Sequence, residues 1–201
     1  MGCLFIFRRK ILIKISFQDK IGSMNHSVGG DVLNIRLLIP DDAEEYAALR
    51  LEALRLHPEG FAMSYEEEQI GTIEKYAARF ASVQLMWTFG AFDQGKLVGM
   101  VTLIQENLQK LKHRANVAAM YYVTAGARGK GVGKTLMTEV LSFAGERHDI
   151  EQMYLSVVTT NHSAKRLYRS IGFESYALEE KALKWPDHTY ADEEKMVLFL
   201  S

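Results

Sequence analysis

Residues 121–135 read Tyr121-Tyr122-Val123-Thr124-Ala125-Gly126-Ala127-Arg128-Gly129-Lys130-Gly131-Val132-Gly133-Lys134-Thr135. An aromatic strand end runs into a loop dense in glycine and cations. The pattern that follows predicts a helix over Gly131–His148, with Val132, Leu136, Met137, Val140, Leu141 and Ala144 along one side. Glycine lets backbone N–H groups converge and come close to a ligand. A helix N-terminus adds unsatisfied donors and partial positive charge. Together they cradle an anion, and phosphate is the usual guest.

Three phosphate-binding patterns compete for this loop. A P-loop needs glycine five residues before Gly133-Lys134-Thr135, where the chain has Arg128. The dinucleotide fingerprint G-x-G-x-x-G fails from either start, because its third glycine falls on Lys134 or on Leu136. The third pattern, R/Q-x-x-G-x-G/A, is matched by Arg128, Gly131 and Gly133.

Working outward, short apolar runs predict strands over 34–38, 86–92, 97–105, 115–123, 152–158, 173–183 and 195–200. The run 152–158 is nearly continuous and is expected to be buried on both faces. Helices are expected from Pro40 to about Arg55, from the Ser64-Tyr65-Glu66-Glu67 capping box to about Phe80, over Gly131–His148, and over Ser163–Ser170. The order β-α-α-β-β-β-α-β-α-β-β predicts an α/β (α+β) fold, a mixed sheet carrying helices on its faces.

A second segment, Asn161-His162-Ser163-Ala164-Lys165-Arg166-Leu167-Tyr168-Arg169-Ser170-Ile171-Gly172-Phe173, puts Ala164, Leu167, Tyr168 and Ile171 on one helix face. Read alone, Tyr168 suits a packing aromatic and Asn161 a turn residue. With the glycine loop some thirty residues upstream, the stretch from about Asn34 to Leu200 resembles the GNAT superfamily of N-acetyltransferases. The resemblance implies a mostly antiparallel central sheet of six or seven strands, about four helices on its two faces, and a splay between the two central strands. It implies acetyl-CoA as co-substrate and no metal. The backbone of Tyr121, Tyr122 and Val123 would bind the pantetheine arm. Arg128, Gly129, Lys130, Gly131, Val132, Gly133 and Lys134 would hold the pyrophosphate, and Asn161 would approach from across the splay. Tyr168 would serve as general acid to the departing thiolate. The implied reaction is direct attack of an amine on the thioester. No base is chosen: Glu106, His113, Tyr121 and Tyr122 are candidates acting through water, and Ser156 stands where some relatives carry a glutamate. A non-catalytic acyl-CoA-binding module and a P-loop-like nucleotide hydrolase are the rival readings.

Composition narrows the rest. With 24 basic and 25 acidic side chains in 201 residues, net charge −1, the chain lacks the basic surplus of a nucleic-acid binder. One cysteine, Cys3, forms no intramolecular disulfide, and the six scattered histidines show no metal-ligand spacing; a cytoplasmic setting is expected. Residues 1–23 are basic and interrupted by cations, so no membrane span is expected there. Residues 1–33 are expected to be a dispensable extension ending in a flexible linker over 25–33, with the catalytic domain over 34–201. The acceptor is expected to be a small-molecule amine or a protein amine. Its site is expected among His57–Ser64, Glu66–Arg79 and a polar loop over Ala182–Glu194, where Asp187, Asp192, Glu193 and Glu194 could attract a cation. A homodimer is compatible with all of this.

Overall fold

The computed structural model describes residues 24–28, 31–82, 84–123 and 131–200. Eight strands form one sheet in the order β1 (Met24–Val28), β2 (Asp31–Leu37), β3 (Met86–Asp93), β4 (Lys96–Gln105), β5 (Arg114–Tyr122), β6 (Gln152–Val158), β8 (Tyr190–Phe199) and β7 (Glu174–Lys184). Every neighbouring pair is antiparallel except β5 and β6. The mixed, mostly antiparallel sheet is therefore as expected, with one strand more than the sequence reading counted. That strand corrects the linker assigned to 25–33: β1 pairs with β2 from Met24↔Ile35 to Val28↔Asp31.

Helices α1 (Ala43–Leu56), α2 (Tyr65–Glu68) and α3 (Ile73–Ala81) lie on one face, and α4 (Val132–Glu146) and α5 (His162–Ser170) on the other. Tyr46, Leu49, Tyr76 and Phe80 pack with Phe92, Leu97 and Met100 in one core. Leu136, Met137 and Val140 pack with Val101, Leu103, Met153 and Phe173 in the other. The single helix expected over 64–80 is two. The capping box forms as expected, with Ser64 Oγ accepting from Glu67 N and Glu67 Oε2 accepting from Ser64 N. The first helix then ends in a turn through Gly71, whose N–H donates to Glu68 O. Glu68, buried, accepts from Tyr76 and Lys75 of α3 and from Arg50 of α1, which ties the three helices together.

The polar loop expected over 182–194 is mostly strand. Lys184 pairs with Tyr190, leaving a tight connection closed by Trp185 N on Thr189 O. Asp187 accepts from both the N–H and the hydroxyl of Thr189 and so organises that turn. Polar residues here mark an exposed hairpin rather than a loop, because β7 lies at the sheet edge.

Candidate active site

β5 and β6 share only three register pairs, Arg114↔Gln152, Ala115↔Met153 and Asn116↔Tyr154, although the strands are nine and seven residues long. The parting has a local cause. Thr102 of β4 faces Ala118 while Met100 faces Tyr121, so Ala119 and Met120 together oppose Val101. Ala119 sits at φ +52°. Such a bulge bends its strand and redirects it. Past the bulge Val123 N donates to Val98 O. Antiparallel geometry then turns the backbone of Tyr122, paired with Gly99, away from β4 and toward the gap.

The gap opens into a cleft of about 1000 Å³, bordered by Tyr122, Gly131, Gly133, Asn161 and Tyr168. Gly131 is the N-cap of α4 and adopts φ +63°, a left-handed conformation suited to glycine. Gly131, Val132, Gly133 and Lys134, at the N-terminal end of α4, border the cleft. Gly133 is a point of close approach: a Cβ there would lie 2.8 Å from Tyr122 Cε1 and 3.3 Å from Leu167 Cδ2.

Opposite, Asn161 caps α5 by accepting from Ala164 N at 3.0 Å. Tyr168 is 8 % exposed, with its ring 6.1 Å from that of Phe173. Burial, with a smaller contribution from Tyr122, pushes its hydroxyl up to about 12. The phenol therefore stays protonated at any ordinary working pH. Helix α5 is held by Glu194 of β8, which accepts from Lys165 at 2.7 Å, from Arg169 at 2.6 Å and from Ser175. These bonds, that to Lys165 first, hold the carboxyl down to about 2.

A second cleft of about 650 Å³ lies on the other side of the splay. Gly60, Phe61, Ser156 and Glu193 border both. Glu193 thus stands at the junction of the two clefts. Its Oε2 accepts from Lys195 Nζ at 2.8 Å.

A family model described as the acetyltransferase (GNAT) family matches residues 48–173. The chain belongs to the GNAT family. Among solved structures, this GNAT chain is similar to a probable acetyltransferase from Staphylococcus epidermidis, with 26 % identity, TM-score 0.67, 84 % of this chain and 99 % of that one. A putative acetyltransferase from Salmonella typhimurium, solved with its cofactor acetyl-CoA, shares the fold at TM-score 0.71 and 19 % identity, over 84 % of this chain and 94 % of that one. An N-alpha-acetyltransferase of Sulfolobus acidocaldarius is 28 % identical over 82 % of this chain and 89 % of its own length. A spermine/spermidine N(1)-acetyltransferase of Bacillus subtilis is 29 % identical over 42 % of this chain, and the match spans little more than half of that enzyme, 57 %.

Against this GNAT frame the expected residues sort unevenly. Tyr121, Tyr122, Gly131, Val132, Gly133, Lys134, Asn161 and Tyr168 all border the first cleft. Arg128, Gly129 and Lys130 lie outside the described residues. Val123 has its N–H on Val98, leaving Tyr122 as the residue whose backbone faces the gap. The Tyr121 hydroxyl donates to Glu52 Oε1 at 3.2 Å, and burial, with Glu52 beside it, pushes it up to about 12. That commits its side chain to α1. Glu106 accepts from Asn116 Nδ2 and borders the second cleft. His113 uses its carbonyl to accept from Glu151 and Gln152 in the connection before β6. Of the four acids placed in the closing segment, Asp187 serves its turn, Asp192 accepts from Lys181 N and Glu194 anchors α5. Only Glu193 reaches the clefts. Sequence reading named it merely as one member of a charge run; its signal was alternation along β8, where Glu193 and Lys195 share a face with Ser156 of β6. The expectation of a doubly buried β6 is likewise corrected, since Tyr154 and Ser156 open onto the clefts.

No grouping of His, Cys, Asp or Glu that could hold a metal ion occurs among the described residues, and no described helix is long and apolar enough to cross a membrane.

Proposed function

We propose that the protein is an N-acetyltransferase that moves the acetyl group of acetyl-CoA directly to a primary amine. The observation that carries this reading is the splay of β5 from β6, with the N-terminus of α4 at one side of the resulting cleft and the Tyr168 phenol at the other. The unpaired backbone of Tyr122 suits the amide-bearing pantetheine arm as a pseudo-strand partner. The N–H groups from Gly131 to Lys134, continuing the cationic loop, suit the pyrophosphate. The Salmonella neighbour, which shares the fold, was solved with acetyl-CoA, which supports acetyl-CoA as the co-substrate.

In the proposed reaction the amine nitrogen attacks the thioester carbonyl carbon, the C–N bond forms and the C–S bond breaks. Tyr168 donates its proton to the departing sulfur, and the proton lost by the amine returns to the phenolate through cleft water. The amine must arrive neutral, which is easier for an α-amine near 7.7–8.0 than for a lysine amine near 10.4. Glu193, at the junction of the clefts, draws in the amine as its ammonium, and the extra proton passes to cleft water and solvent before attack. The reaction needs only soluble substrates and suits a cytoplasmic enzyme.

Calorimetric titration with acetyl-CoA tests the cofactor assignment. At a hundredfold excess over Kd, binding raises stability by about 2.7 kcal/mol. Binding of ATP, with none of acetyl-CoA, would establish the nucleotide-hydrolase reading instead. Binding of acetyl-CoA without turnover of any amine would establish a sensing module.

A further inference from the structure

The second cleft carries a charge arrangement that the reaction alone does not call for. Three cationic side chains border it, those of Arg50, Arg114 and Lys195. Lys195 is committed: its ammonium donates to Ser156 and pairs with Glu193 and Glu179. Arg50 is partly committed: its Nε pairs with Glu68 at 3.3 Å and its guanidinium lies 4.8 Å over the Phe61 ring, while its Nη1 is buried without a partner. Arg114 forms no side-chain hydrogen bond or ion pair with any described residue; its guanidinium lies 5.0 Å over the ring of Tyr154, and its Nε is buried and unpartnered. Buried N–H donors left unmade are costly, more so on a charged group. Glu106, the other acid of this cleft, is held by Asn116 rather than by either arginine.

Both arginines border the second cleft and neither borders the first, whereas Glu193 borders both. Positive charge therefore lies on the acceptor side and negative charge at the boundary with the donor side. We propose that the acceptor is a small amine bearing a carboxylate, amino-acid-like, with its carboxylate held by Arg114 and Arg50 and its ammonium directed to Glu193. The inference rests on the acetyltransferase reading and specifies its substrate class. A planar guanidinium meets a carboxylate through two parallel N–H bonds, and the Arg114 guanidinium already rests over the Tyr154 ring. A polyamine fits poorly, since its second cation would meet the unpaired Arg114 guanidinium. The volume of about 650 Å³ suits a small molecule.

The experiment compares each amino acid with its own decarboxylated amine: L-phenylalanine with phenethylamine, L-lysine with cadaverine, L-methionine with 3-methylthiopropylamine. CoA release is the readout, with spermidine, phosphoethanolamine and a C-terminally amidated peptide alongside. The acid of at least one pair exceeds its amine by about 10²-fold in kcat/KM, the scale expected from losing one hydrogen-bonded charged contact. Arg114→Gln brings that ratio to within about threefold while the Kd for acetyl-CoA stays within twofold. Arg114→Lys, which keeps charge but not the fork, falls between. Preference for the decarboxylated amines, spermidine, phosphoethanolamine or the amidated peptide overturns the inference, as does a ratio unchanged in Arg114→Gln. Calorimetric titration of the protein with the same pairs, with and without CoA, reads the inference where turnover is absent. Acid binding that Arg114→Gln abolishes supports it, and no acid binding refutes it. Failure to bind acetyl-CoA, measured separately, sinks the acetyltransferase reading itself.

Discussion

Replacing Tyr168 with phenylalanine removes one oxygen from the cleft and little else. The hydroxyl has no hydrogen-bond partner among the described residues, and only burial and the neighbouring Tyr122 act on it. The ring packs on Phe173 and stays in place without the oxygen. Loss of a hydroxyl that bonds nothing leaves stability within about 0.5 kcal/mol, since no partner is orphaned. Catalysis loses far more. Proton delivery by a positioned acid contributes about 10²–10⁴ in rate, or roughly 3–5 kcal/mol of barrier. The loss falls on kcat, because sulfur gathers charge chiefly in the transition state, while the Kd for acetyl-CoA stays near wild type. The pH profile adds a second check. An acid must be protonated to act, so activity falls as pH rises through its pKa. Holding Tyr168 up to about 12 moves that fall from near 10 to beyond the working range, and kcat shows no Tyr168-dependent decline below about pH 10. Steady-state kinetics, thermal unfolding and acetyl-CoA titration of Tyr168→Phe test all three parts. A kcat within threefold of wild type would refute the acid role and leave Tyr168 a packing residue.

Gly133→Ala places a methyl 2.8 Å from the Tyr122 ring and 3.2 Å from Met120, so the cleft wall must shift, and acetyl-CoA affinity falls about tenfold, roughly 1.4 kcal/mol, by calorimetry. Gly131→Ala meets no atom within 4 Å but carries its φ of +63° into a non-glycine residue, costing about 1 kcal/mol in denaturant unfolding with a smaller effect on affinity. Glu194 is held down to about 2 from an ordinary 4.5, so its contribution is full above about pH 5 and fades as pH falls toward 2. Glu194→Gln accordingly costs about 2 kcal/mol at pH 7 and flattens the acid limb of a stability–pH curve; an unchanged limb would show that the Lys165 and Arg169 pairs contribute nothing.

The sequence by itself determined the elements and the two signatures. Patterns of short range sufficed there: period-two and period-3.6 apolar spacing, the Ser64–Glu67 capping box, and a glycine-rich turn leading into α4. These depend on neighbours a few residues away, so they are legible without a fold. Where the reading went astray, long-range pairing was the reason. Residues 24–28 carry too weak a pattern to be a strand alone and become one by pairing with β2. Residues 190–194 looked like a loop because they are mostly polar; they become strand by pairing with the edge strand β7, which sets Glu193 on the clefts and Glu194 against α5. The parting of β5 from β6 required the bulge at Ala119 and Met120, which exists only as a mismatch of register with β4, sixteen or more residues away along the chain. That parting separates the two clefts, turns Tyr154 and Ser156 from core positions into cleft walls, and selects Glu193 from a run of four acids. Arg50 and Arg114 meet at one cleft from α1 and β5, elements that no local rule connects. Which side chains share a site is decided by tertiary packing, because a strand's facing depends on the register of its partners.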